Sequence, residues 1–243
     1  MNLYAFLLSF LASISTIIGF FVIFIKKDKS NIISLSLGLA SGVMLCVSIT
    51  DLMPNAMRLL INSTNIPNTI FYLVFGFLTG IMITNVFNKL ELKKDKLYNV
   101  GIISMIAIIL HNIPEGIITY ITASSNINLG IKLTVAIALH NIPEGITISI
   151  PIFFSTKNKF KAFLYTFLSG FSELIGSIVC YLFLSKYINN IVLGIIYSVI
   201  AGMMINISIN DLYKESITYN KRYTNTAFII GIIFIIINHF VFS

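Results

Sequence analysis

The chain has 243 residues, 57% of them hydrophobic and only 10% charged, with a mean hydropathy of +0.93 and a formal net charge of +7. Water-soluble domains carry about 45–50% apolar and about 25% charged residues, so this composition excludes a soluble globular protein and calls for a bilayer as solvent. The positive charge does not imply a nucleic-acid partner, because its residues gather in loops on one side of the predicted spans.

Apolar windows of spanning length fall at 3–25, 32–53, 68–88, 99–122, 131–152, 161–184, 190–212 and 223–242. They predict an all-α polytopic membrane protein of eight helices, a single integral-membrane domain over 1–243 with no length left for a soluble one. The first window lacks a basic leader and is too long for a signal peptide, so it reads as the first span. Loops after spans 1, 3, 5 and 7 hold 13 basic residues: Lys26, Lys27, Lys29, Lys89, Lys93, Lys94, Lys96, Lys157, Lys159, Lys161, Lys214, Lys221 and Arg222. The other side holds three, Arg58, Lys132 and Lys186. This asymmetry places the first set in the cytoplasm and both termini outside. Cys46 and Cys180 lie inside apolar runs and read as inert buried thiols, with a disulfide or a soft metal ligand as the alternative.

Two repeats constrain the arrangement. His111-Asn112-Ile113-Pro114-Glu115-Gly116 in span 4 recurs as His140-Asn141-Ile142-Pro143-Glu144-Gly145 in span 5. In span 2, Gly42, Met44, Ser48, Ile49, Asp51 and Leu52 match Gly202, Met204, Ser208, Ile209, Asp211 and Leu212 of span 7. Spans 4 and 5 run antiparallel, as do 2 and 7, so each repeat relates elements of opposite topology. Inverted repeats of this kind belong to transporters, with the substrate held near the midplane.

An ionisable group within hydrocarbon costs at least a few kcal/mol and marks function by default. Asp28, Glu91, Asp95 and Glu215 fall in predicted cytoplasmic loops and read as solvated. Glu115, Glu144 and Glu173 fall within spans 4, 5 and 6, with no Lys or Arg at matching depth. Within each hexapeptide, His and Glu are four positions apart and Asn and Glu three, so all three share one helix face. Carboxylates and imidazoles converging without a protein cation call for a metal, and imidazole with carboxylate suits zinc, iron, cobalt, nickel or manganese better than calcium or magnesium. Pro114 and Pro143 each remove a backbone hydrogen bond, freeing the carbonyls of Leu110 and Leu139 at a depth where irregular backbone survives only against protein or a water-lined path. Gly116 and Gly145 permit close helix approach. Asp51 and Asp211 sit near helix ends, where interfacial capping and a place at the pore mouth are both open. Met44 and Met204 read as packing residues with thioethers able to assist a soft ion, and His239 reads as an interhelical hydrogen-bonding group.

With the doubled hexapeptide and Ser172-Glu173 on span 6, the sequence resembles the ZIP (Zrt/Irt-like) family of divalent metal transporters, in particular its bacterial ZupT branch of zinc transporters. The resemblance covers the whole chain. It implies a 3+2+3 arrangement of inverted repeats and a binuclear centre halfway across the membrane. One metal would be held by His111, Glu115, His140 and Glu144, and the second by Asn112, Glu115, Asn141, Glu144 and Glu173. Met44 corresponds to a position that contributes to the first site in some relatives. Relatives import zinc and, in this branch, iron, manganese and cobalt. Two departures stand out: the loop at 89–98 has no histidine where many relatives are histidine-rich, and Asp51 stands where many have Glu.

The expected function is therefore uptake of zinc, with Fe2+, Mn2+ and Co2+ as further substrates, across the cytoplasmic membrane, with no resident cofactor and no enzymatic activity. Metal export or proton-coupled exchange is the alternative. A membrane metalloenzyme ranks last, since His-Glu-x-x-His is absent. The expected partners are the divalent ions and the lipid bilayer, with no nucleic acid. A homodimer is compatible with the sequence, which does not itself fix the oligomeric state.

Overall fold

In a computed structural model that describes residues 2–26, 28–89, 95–184 and 189–242, every regular element is helical. Lys27, Glu91, Lys93, Lys94 and Lys186, named above for charge and topology, lie outside the described residues. Among the described residues, seven helical runs are long and apolar enough to cross a membrane. They are α1 (Leu3–Phe24), α2 (Lys29–Ile61), α3 (Ile66–Lys89), α4 (Lys96–Ser125), α5 (Ile127–Thr156), α6 (Lys159–Phe183) and a last run, Asn190–Val241.

That last run differs from expectation. It is 52 residues long, about 78 Å if straight, which is more than twice the ~30 Å hydrocarbon layer. We divide it into α7, Asn190–Asn206 with the π-helical continuation Ile207–Tyr213, and α8, Lys214–Phe242. The expected polar loop at 213–222 is instead mostly helical. The backbone breaks inside α8, at Asn220, whose φ of −158° and ψ of 103° are extended. Its side-chain oxygen accepts from the backbone N–H of Tyr223 at 3.2 Å and so starts a fresh helix. Asparagines open other helices in the same way: Asn2, Asn126, Asn158 and Asn189 all cap with their side chains. Asp95 caps α4, accepting from the N–H groups of Leu97 and Tyr98.

In a bilayer the helices cannot gain from hiding apolar surface from one another, so close backbone approach and interhelical hydrogen bonds hold the bundle. The closest approaches recur at fixed sequence offsets. A Cβ on Gly116 would strike the carbonyl oxygen of Glu173 in α6, and one on Gly145 would strike that of Thr16 in α1. Likewise Gly42 faces the carbonyl of Phe228, and Gly202 that of Phe77; Gly231 faces Leu39, and Gly80 faces Val199. Thus α4 packs on α6 as α5 packs on α1, and α2 packs on α8 as α7 packs on α3. The twin prolines leave α4 and α5 helical throughout. The departures from α geometry lie in other helices: a 3-10 stretch, Gly19–Phe24, ends α1, a π-helical one, Cys180–Leu184, ends α6, and π-helical turns at Ser48–Leu52 and Ile207–Tyr213 carry Asp51 and Asp211.

Candidate metal centre

The α4–α5 hairpin sets the height of every motif residue. A single residue, Asn126, separates the two 30-residue helices. Its side chain accepts from Asn128 and Leu129 N–H while its own N–H bonds back to the Thr122 carbonyl. Asn112 and His140 lie fourteen positions from it and His111 and Asn141 fifteen, so the antiparallel helices bring them level. Glu115 lies nearer the turn and Glu144 farther from it.

His111, Glu115 and His140 are buried, and each offers a ligand atom within 4.8 Å of the others. His140 Nε2 is 2.9 Å from Glu115 Oε1; His111 Nε2 is 3.5 Å from Glu115 Oε2 and 3.8 Å from Glu144 Oε1. On the far side, Asn141 Nδ2 donates to Glu173 Oε2 at 3.0 Å and reaches the Ala12 carbonyl at 3.3 Å. Asn112 Nδ2 donates to the Ser169 carbonyl at 3.1 Å. All seven polar side chains are buried, and no Lys or Arg pairs with any of them among the described residues.

Buried polar atoms almost always have partners, yet this cluster holds many that do not. Both ring nitrogens of His111, Asn112 Oδ1, Glu115 Oε2, Asn141 Oδ1, both Glu144 oxygens and Glu173 Oε1 lack a hydrogen-bond partner. Nearly all are acceptors or ring nitrogens able to act as acceptors, which is the complement of a hard or borderline cation. The carboxamide nitrogens, by contrast, are held by backbone carbonyls, fixing Asn112 and Asn141 with their oxygens free.

A cavity of about 470 Å3 reaches this cluster, lined by His111, Glu115 and His140 at its floor and by Asp51, Arg58, Lys132 and His239 elsewhere. Asp51 accepts from Thr50 Oγ1 at 3.1 Å and lies 3.3 Å from His239 Nδ1, an interhelical contact between α2 and α8. Asp211 lines a separate cavity of about 400 Å3 with Asn88, Asn210 and Lys214, and accepts from Asn88 Nδ2 at 3.1 and 3.3 Å. Glu215, expected to be solvated in a loop, is half-buried on α8 and lines that second cavity. The two cavities share no lining residue. Met44 is fully enclosed in the apolar core alongside Met204 and Ile207.

Three neighbours carried no sequence signal of their own. Tyr197 on α7 is buried and lines the cavity with Glu115; among 11 tyrosines nothing singled it out. Asn88 and Thr50 matter only through the aspartates they touch.

Comparison with known proteins agrees with this chemistry. The ZIP Zinc transporter family model matches residues 88–239. The zinc transporter ZupT of Streptococcus mutans is 37% identical, covering 90% of this chain and 89% of the relative. Those of Clostridium perfringens, at 35%, and Campylobacter jejuni, at 36%, cover 91% and 90% of the chain and 89% of each relative.

Proposed function

The chain belongs to the ZIP zinc transporter family, a family of transporters rather than enzymes, and from that premise we propose that it imports zinc through a centre built by His111, Asn112, Glu115, His140, Asn141, Glu144 and Glu173. One observation carries the reading: three buried carboxylates and two imidazoles converge with unpartnered acceptor atoms and, among the described residues, no Lys or Arg paired with them. Divalent zinc supplies the missing charge. Iron, manganese and cobalt satisfy the same nitrogen and oxygen donors, so the transported set includes them.

Two ions fit the donors better than one. His111, Glu115, His140 and Glu144 form a nitrogen-containing group on the cavity side. Asn112, Asn141 and Glu173 add oxygen donors behind it, and Glu115 and Glu144 lie between the two. Zinc loses its water to these side chains and displaces protons from them, since neutral imidazole and ionised carboxylate are the binding forms. The 2.9 Å contact from His140 to Glu115 is the hydrogen bond that the incoming ion replaces.

We read the long last run, bent at Asn220, as two spans, which brings the count to eight; its 52 residues and the break within it support that reading. The positive-inside bias places Lys26, Lys157 and Lys214 in the cytoplasm and Arg58 and Lys132 outside, which sets the chain in the cell membrane with both termini external. The paired close approaches fit an inverted 3+2+3 arrangement, with α1–α3 related to α6–α8 and α4 to α5. In this orientation the 470 Å3 cavity opens outward, past Asp51 and His239, and direction of entry favours uptake over export. Asp211 and Asn88 stand in the cytoplasmic cavity, on the side where zinc leaves.

The test is zinc-65 flux into proteoliposomes. Inward flux is expected, and Glu115→Ala with Glu144→Ala lowers it by at least about tenfold, the scale of losing metal-site support. Flux unchanged in the double variant, or flux only outward, overturns the proposal.

A further inference from the structure

We infer that the lysine-rich ends of α1, α2, α5 and α6 form a binding site for the headgroup of an anionic phospholipid. Two segments meet there, Lys26 with residues 28–29, and residues 157–161. They contain Lys26, Lys29, Lys157, Lys159 and Lys161 in described positions, with Asp28 as their one acidic residue. None of these lysines makes an ion pair among the described residues, where all four pairs belong to histidines.

Aromatic side chains hold four of these five ammonium groups instead, and that of Lys161 also donates to the Tyr98 and Tyr165 hydroxyls. Lys29 and Lys157 lie over the same ring, that of Phe154, at 5.9 and 5.1 Å from its centroid. Lys159 lies over Phe24 at 4.9 Å, and Lys161 lies between Tyr98 at 5.1 Å and Tyr165 at 5.4 Å. Ring faces attract a cation without neutralising it. Lys29 and Lys157 share one ring, and among the described residues no carboxylate pairs with either. An anion seated among these lysines supplies the missing partner.

A second observation is independent of charge. Lys157 has φ 58° and ψ 14°, the left-handed conformation, and among the described residues it is the one non-glycine with positive φ. It closes α5, its N–H bonded to the Phe153 carbonyl at 2.8 Å. Glycine or asparagine is the usual residue at such a cap because a Cβ is disfavoured there. Lysine at this place keeps a side chain where the backbone alone would select none, and outliers of this kind point to function.

The ligand is a lipid rather than a free phosphate because acyl-chain surface adjoins the charges. Phe24 and Ile25 are each 50% exposed and Phe160 is 70% exposed beside Lys26 and Lys159. Basic pockets between helix ends at a bilayer surface recognise anionic headgroups in this manner, at about 1 kcal/mol per Lys or Arg. The site uses none of the residues of the His/Glu cluster, so it stands or falls apart from zinc transport.

The protein is to be reconstituted in nanodiscs of phosphatidylcholine with and without phosphatidylglycerol, reading the thermal midpoint and the phosphatidylglycerol retained on re-extraction. In the wild type, phosphatidylglycerol raises the midpoint and remains bound. Lys157→Gly with Lys159→Gln and Lys161→Gln is expected to lower retention by about fivefold per lysine removed and to abolish most of the increment. Lys157→Gly alone separates the two causes: its midpoint in pure phosphatidylcholine holds or rises, because the left-handed position suits glycine, while the increment falls. Lys89→Gln, at the end of α3, leaves the response intact. A triple variant with the wild-type increment, or a Lys89 variant that loses as much, overturns the proposal.

Discussion

The α4–α5 hairpin is flanked by α6 on one side and α1 on the other, and the two flanks are alike in backbone and unlike in chemistry. Gly116 admits the carbonyl of Glu173 as Gly145 admits that of Thr16, and Gly176 faces Ile113 as Gly19 faces Ile142. Asn112 ties to Ser169 in α6 as Asn141 ties to Ala12 in α1. Ser15 and Gly19 stand at the positions of Ser172 and Gly176 under a common offset. At that same offset, Thr16 stands opposite Glu173. Both side chains are fully buried. The packing is duplicated while the third carboxylate is present once, so the close approaches belong to folding and the asymmetry to ion binding.

Packing symmetry predicts the largest effects. Gly116→Leu and Gly145→Leu each force a side chain into a backbone carbonyl that cannot rotate away, and each destabilises the fold by about 3 kcal/mol or more. Folded yield and thermal midpoint are the measurements. A fall in one variant but not its counterpart breaks the comparison.

Chemical asymmetry predicts the next effect. Glu173→Gln keeps the position hydrogen-bonded but removes the charge, so zinc uptake falls by about 10-fold or more. Thermal stability of the metal-free protein holds or rises, because an uncompensated carboxylate is expensive to bury. Thr16→Val leaves zinc uptake near wild type. Equal losses at both positions would show that α1 serves the ion as α6 does.

Acidification acts on the same groups. Protons and metal compete for two imidazoles and three carboxylates, so zinc affinity falls as pH falls and rises again on return to neutral pH. Zinc titrations at two pH values read this directly. The zinc-induced rise in thermal midpoint shrinks in parallel and is erased by a chelator.

The smallest effects concern single hydroxyls. Ser13 Oγ donates to the Gly170 carbonyl at 2.8 Å, so Ser13→Ala costs about 1 kcal/mol. Thr16 Oγ1 has no partner, so Thr16→Val is neutral or stabilising by a similar amount. Thermal unfolding of the two variants should separate them in sign.

Much of this was legible in the chain itself because a membrane simplifies the code. Apolar length located the helices, and the two-helix repeat named His111, Glu115, His140 and Glu144 as neighbours before any coordinate. The polar and charged residues at 213–222, between two apolar windows, suggested a loop, but the backbone stays mostly helical there, since without a proline or glycine only Asn220 interrupts it. The kinship of α1 with α6 was hidden for a related reason. Serine and glycine repeats carry little weight in an apolar sequence, and the Thr16–Glu173 difference masks the correspondence until both carbonyls are seen against matching glycines.

By itself, then, the sequence determined the solvent, the helical class, and a set of carboxylates and imidazoles with no protein cation to balance them. Spacing along a helix is enough for that, because it fixes which side chains share a face. Only tertiary structure decided which faces meet. It placed Glu173 against Asn141, joined Asp51 to His239 and Asp211 to Asn88, and kept the two cavities separate, since those relations depend on how closely backbones approach across helices distant in the chain.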